Sequence, residues 1–267
     1  MTGRRRPVTL SNSQAPIHDF LIRDVAEYLS RNGITTRVVT AGTWDEREAA
    51  LDAGEIDMGW ICGAPYVNKI ARGVPLKILA APVMAHPRYK NRPIYFSDVV
   101  VRADSQHKTF VDLRGARWAY NEKNSHSGYH AVRYFLATRN LNGNFFGRVV
   151  ESGAHQNSVE MILRRDVDAA AIDSTVLEMM YANEPSLASR LRVIETIGPS
   201  PMPPFVIGGH VSERIRLHIQ HALVTMHKKV DGAKILARVR IARVANVRAA
   251  DYDHIREMLR IAKATRL

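Results

Sequence analysis

Cysteine is nearly absent from this chain of 267 residues: Cys62 stands alone, so no intrachain disulfide can form. A disulfide-stapled miniature scaffold is thereby excluded. A chain of this length does not need one, because 46% of its residues are hydrophobic and can fill a real core. Many exported proteins also lack disulfides, so the compartment stays open. Long apolar runs are missing too, and none reaches the length of a membrane span. The start carries a basic cluster, Arg4 to Arg6, but Val8–Leu10 leads directly into polar residues and no apolar leader follows. As written the protein is expected in the cytoplasm; if a leader is missing from this sequence, it is expected in the periplasm.

Acidic residues are the scarcer sign, 26 against 38 basic, for a formal charge of +12. The excess gathers late: Arg214 to Leu267 holds 13 Lys/Arg and 4 Asp/Glu, a local charge of +9. Such a tail suits an anionic partner, or it is simply the solvated face of arginine-rich helices. No RNP motif, zinc-finger spacing or interleaving of aromatic and basic residues accompanies it, so nucleic acid is not expected. The eleven histidines are scattered without HExxH or CxxC spacing, and Walker A, GxGxxG and GxSxG are lacking. No metal, no cofactor and no catalysis are expected.

What is present is an alternation of strand-like and helix-like segments, the pattern of an α/β fold with mainly parallel sheets. Strands are predicted at 7–10, 36–40, 56–61, 76–84, 94–101, 168–173 and 191–197, the last stopped by Gly198-Pro199-Ser200-Pro201. Leu21, Val25, Tyr28 and Leu29 form a helix stripe closed by Asn32-Gly33. Thr43 with Glu46 is a capping box. Two or three helices are expected to finish the chain. The length is comfortable for two domains of modest size, with crossings near 94–102 and 199–204.

Three polar loops occupy strand-to-helix junctions in the second half. Asn121 to Tyr129 follows the strand around Trp118 and contains Ser125, His126, Ser127 and Gly128. Free N–H groups and the positive end of a helix dipole meet there, which suits an anion. Ser127 can equally be a plain N-cap. His155, after Ser152-Gly153, stands at the same kind of junction, where open α/β sheets bind ligands. Asp173 ends a third strand; it can accept from a protonated ligand group or from His155, or cap the next helix. In the first half, Trp60 and Tyr66 can wall a cleft, although a tryptophan ending a buried strand is more often core. Cys62 reads as a small buried hydrophobe, and Ser11 ends the first strand.

At these residues the chain resembles the phosphate/phosphite/phosphonate-type solute-binding proteins of ABC transporters. The strings that carry the resemblance are GEIDMGW (54–60), FSDVVVRADS (96–105), DLRG (112–115), SHSG (125–128), SGAH (152–155) and VDAAAID (167–173). Their order and spacing match over most of 50–205. The resemblance implies a two-lobed, periplasmic-binding-protein-like (type II) fold, with lobe 1 at 1–96 and 203–267 and lobe 2 at 97–202. It implies a ligand cleft between lobes that close about a hinge. Ser125, His126, Ser127 and His155 would grip phosphorus-bound oxygens, and Tyr95 falls at the hinge tyrosine. The full expected ligand-binding set is Ser11, Trp60, Cys62, Tyr66, Tyr95, Asn121, Ser125, His126, Ser127, His155 and Asp173.

Ile61 and Cys62 stand where phosphonate binders often carry an aromatic. Thr175 stands where an acidic residue meets an aminophosphonate amine, with Asp173 close by, and Ser200-Pro201 stands at a later acidic position, which argues against an amino-bearing phosphonate. The expectation is therefore a monomeric, non-enzymatic binder of a small oxyanion, with an ABC permease as partner if exported. The alternative is a cytoplasmic enzyme of a vitamin or cofactor pathway, or a ligand sensor, on the same fold. In an enzyme, His126, His155, Asp173 and Cys62 would be the candidates for chemistry.

Overall fold

Strands and helices alternate from the first described residue onward. The computed structural model describes residues 6–13, 19–141 and 144–267. The chain opens with β1 (Val8–Ser13), α1 (Asp19–Arg31), β2 (Thr36–Val38), α2 (Trp44–Asp52), β3 (Met58–Ile61), α3 (Gly63–Ala71) and β4 (Leu76–Met84). α1 buries Leu21, Ile22, Val25, Ala26 and Leu29, a stripe at helical spacing. It ends where Gly33 takes the left-handed backbone, φ 83°. The capping box forms as read: Glu46 N donates to Thr43 Oγ1, and Thr43 N donates back to Glu46 Oε2.

The middle of the chain supplies β5 (Ile94–Arg102), β6 (Arg117–Tyr120), α4 (Ala131–Thr138), β7 (Arg148–Glu151), α5 (His155–Leu163), β8 (Ala169–Asp173), α6 (Ser174–Asn183), α7 (Leu187–Arg190) and β9 (Leu191–Pro201). The end supplies β10 (Phe205–Gly208), α8 (Glu213–Thr225), α9 (Val230–Arg238), β11 (Ile241–Ala245) and α10 (Asp253–Ile261). Two compact units result. The first comprises the chain up to Ile94 together with Met202–Tyr252, and the second comprises Tyr95–Pro201 with Asp253–Leu267.

The first unit holds a sheet in the order β11-β4-β10-β3-β1-β2. β1 pairs in parallel with β2 and β3, whereas β10 runs antiparallel between β3 and β4. The second unit holds the order β7-β6-β8-β5-β9, with β6 parallel to both β7 and β8, and β5 antiparallel to β8. Side chains alternate across this second sheet. Val99, Val101, Trp118, Ala169 and Ala171 join Phe110, Phe135, Phe145 and Phe146 on one face. Val100, Ala119, Ala170 and Ile172 join Val159, Ile162 and Leu177 on the other. Both faces are covered, as parallel strands require.

Two sequence expectations are corrected here. The segment 253–267 was expected in the first lobe; Met258 instead packs in the aromatic core of the second unit. Arg133 on α4 fixes it there by donating to the carbonyls of Ala262, Lys263 and Thr265. Three helices finish the chain, and residues 241–245 add a strand beside β4 between the last two of them. And β9 continues through Gly198-Pro199 to Pro201 instead of stopping at 197. It is an edge strand, the place in a sheet where proline is tolerated.

Candidate functional site

β6, β7 and β8 run in parallel, so Tyr120, Glu151 and Asp173 end at one edge of the second sheet. The first two exits are stitched together: Ser152 N donates to Tyr120 O and Gly153 N to Asn121 O, each at 2.8 Å. After β6 the chain makes a tight turn and enters a single π-helical turn, His126–His130, which runs directly into α4. Such widened turns concentrate at functional sites because they re-aim N–H groups and side chains.

The hydroxyls of this turn have different duties. Ser125 is the cap, its Oγ accepting from Gly128 N at 3.1 Å. That relieves Ser127 of capping. Ser127 Oγ instead lies 3.2 Å from His155 Nε2, the first residue of α5. Two separate strand-to-helix loops thus share one hydrogen bond, and both residues are buried. The contact depends on Gly128. A Cβ there would collide with Asn121 Oδ1 and crowd His155 Cε1. Asn121, buried at the end of β6, has no hydrogen-bond partner for Oδ1 among the described residues.

His126 is fully buried; its Nε2 lies 2.9 Å from Ser200 Oγ of β9, and its ring is 6.3 Å from that of Tyr95. Burial, helped by His130 and His254, drives its pKa down to about 3, so it is neutral at physiological pH. His130 is pushed down to about 4 by burial and Arg133. Asp173 caps α6: its Oδ1 accepts from Thr175 N at 2.8 Å and Thr175 Oγ1 at 2.7 Å. Burial outweighs these bonds and lifts its pKa to about 6. Tyr120 donates to Glu151 across the β6–β7 pair at 2.9 Å and is pushed up to about 12 by burial and that carboxylate.

The second unit therefore brings together Asn121, Ser125, His126, Ser127 and His155, with Tyr95 beside His126 and Asp173 at the same sheet edge. Ser200 stood out in the sequence only as the occupant of a position that is acidic in the family; its contact with His126 follows from the course of β9. The remaining candidates lie in the first unit. Ser11 sits on β1 opposite Gly59, its Oγ buried without a partner among the described residues. Trp60 donates Nε1–H to Pro203 O at 3.0 Å and stacks on Phe205, as a core tryptophan does. Tyr66 packs edge-on against Tyr252 with ring centroids 5.2 Å apart. Cys62 is buried at the start of α3 and gives that helix no side-chain cap.

A profile of the family described as "ABC transporter, phosphonate, periplasmic substrate-binding protein" matches residues 16–252. The chain belongs to that family. Solved structures share its fold. One is a binding protein component of a phosphonate ABC transporter from Pseudomonas aeruginosa, 16% identical, with 97% of this chain and 87% of that chain covered and a TM-score of 0.84. The PhnD1 protein of Prochlorococcus marinus, solved in complex with methylphosphonate, is 17% identical, with coverage of 97% and 100% and a TM-score of 0.84. The periplasmic aliphatic sulphonate binding protein of Escherichia coli is 15% identical, with coverage of 97% and 86% and a TM-score of 0.63. At these identities the likeness establishes the fold: α/β, of the type II periplasmic binding proteins. Membership of a phosphonate-transporter family of substrate-binding proteins implies a small ligand and a permease partner. No helix among the described residues of this phosphonate-family protein is long and apolar enough to cross a membrane.

Proposed function

We propose that this protein binds a small phosphorus oxyanion of the phosphate, phosphite or alkylphosphonate class and presents it to a periplasm-facing permease. The observation that carries the reading is the Ser127–His155 contact, which joins two helix-opening loops at one sheet edge. Ser127 Oγ, His155 and the N–H groups opening α4 and α5 offer donors to an oxyanion without a formal cation. The amide of Asn121, wedged against Gly128, is in reach of the same loop. Binding rests on dipoles rather than ion pairs, and burial strengthens each hydrogen bond to the anion.

In this reading the protein is a monomer and leaves its ligand chemically unchanged. His126 Nε2 is engaged with Ser200, and Asp173 Oδ1 is engaged in capping, so both buried titratable groups serve architecture. Isothermal titration with phosphite, methylphosphonate, phosphate and sulfate tests the assignment. At least one phosphorus oxyanion should bind, and Ser127→Ala combined with His155→Ala should weaken it by about a hundredfold, two charge-assisted hydrogen bonds' worth. Phosphorus NMR of the ligand after incubation should show a single unaltered species. Unchanged affinity in the double variant would remove these residues from the site.

A further inference from the structure

The second unit carries another cavity, of about 310 Å³, between α4, β9 and α10. Its floor is apolar: Phe135, Ile197 and Met258 are all buried. Its rim carries Arg139, Tyr134 and His254, the last two in edge-to-face contact with centroids 6.2 Å apart. Arg139 covers part of the floor, its guanidinium carbon 3.5 Å from the centre of the Phe135 ring. This cation–π contact steadies the guanidinium, whose N–H groups suit a planar, two-oxygen acceptor.

The charges around this cavity are one-sided. No carboxylate lines it. The nearby acids are committed elsewhere: Asp253 to Arg256, Glu257 to Arg260, and Glu195 to the amide of Thr196. No carboxylate pairs with Arg139 among the described residues. A second cavity of similar size in the same unit makes the contrast clear. It is lined by Arg102, Arg117 and Arg165, but Asp104 and Asp168 already satisfy these cations. That cavity is an ion-pair network complete in itself; the one at Arg139 is not.

We infer that the α4–β9–α10 cavity is a second ligand site, taking a small organic anion that joins a planar apolar body to a carboxylate. The body would lie on Ile197 and Met258, beside the Phe135 ring that Arg139 already covers, and the carboxylate would meet Arg139 on the His254 side of the rim. The volume suits the assignment: an apolar cavity of about 150 Å³ already accepts benzene, and about 310 Å³ adds room for the charged group. This site is independent of the oxyanion grip at Ser127.

Benzoate is the probe, with benzyl alcohol (ring without charge) and acetate (charge without ring) as controls, read by amide NMR of the full chain. Benzoate should shift the amides of Thr138, Arg139, Ile197, Gly198 and His254, and each control should bind at least about tenfold more weakly. Arg139→Gln, which keeps a polar side chain over the ring and removes the charge, should weaken benzoate by about tenfold. The Ser127→Ala, His155→Ala double variant should bind benzoate as the parent does, which separates this site from the first. Benzoate shifts that are absent, confined to 125–128, matched by benzyl alcohol, or unchanged in Arg139→Gln would each overturn the assignment.

Discussion

His126 is a titratable ring held wholly out of water, and its consequence is a pH dependence with a definite sign. Its folded pKa of about 3 lies below the ordinary 6.5, and that of His130 at about 4 does too. For both, stability is fully present above pH 6.5 and is lost as pH falls toward the folded values, because the unfolded chain takes up the protons first. Asp173 has the opposite sign. Its folded value of about 6 exceeds 3.8, so its contribution is present at low pH and lost as pH rises through about 6. Between about 5 and 6, above the range in which carboxylates of lowered pKa such as Asp57, Asp104 and Glu213 take up protons, two groups favour unfolding on acidification and one opposes it. The ligand-free protein should lose roughly 1.4 kcal/mol per pH unit there, one net proton. In His126→Asn, which can still meet Ser200, the slope should be nearly flat. Urea titrations at a series of pH values check this, and an unaltered slope in the variant would show that His126 is not the group responsible.

At the scale of elements, the π-helical turn that opens α4 rests on the missing side chain of Gly128. Gly128→Ala must displace Asn121 or widen the turn, an overpacking cost of about 1–3 kcal/mol. Oxyanion binding should fall with it. Asn121→Ala in the same chain removes the colliding atoms and should restore most of the stability while leaving binding weakened. Thermal unfolding and titration calorimetry on the two variants test this; a single variant as stable as the parent would show that the contact is not tight. The sequence made some of this legible and hid the rest. The Thr43–Glu46 box was readable because capping is local, and α1 because its stripe is periodic. The loops at Ser125 and His155 were visible as strand-to-helix junctions. Which serine caps and which faces His155 was not, since that follows from the extra residue in the π turn. β11 was hidden because IARVA, set among basic residues after a helix, carries no turn signal of its own; its strand form comes from pairing with β4.

At the scale of the molecule, the C-terminal segment belongs to the second unit, and this assignment can be measured. Met258→Ala empties part of the core around Phe135 and should cost about 2–5 kcal/mol. Hydrogen exchange should quicken in α4 and β9, whereas Leu10 and Met58, in the first unit's sheet, should keep their protection. Loss of protection in the first sheet alone would return the segment to that unit. The chain therefore passes from one unit to the other three times, after residues 94, 201 and 252. Both units are built from two stretches, which periodicity could not disclose because it reports the face of a helix and not its partner.

The position of β10 carries a consequence for biosynthesis. It lies between β3 and β4 in the first sheet, yet its residues come after the whole of β5 to β9. On the ribosome, β3 and β4 leave the exit tunnel well over a hundred residues' worth of synthesis before the strand that joins them, at roughly 5–20 residues per second. During that interval both keep an unpaired edge, and the apolar faces of Met58, Ile61 and Leu79 have no finished sheet to enter. The first segment made is thus among the last to be completed, and the nascent chain must be shielded for seconds before its N-terminal sheet can close.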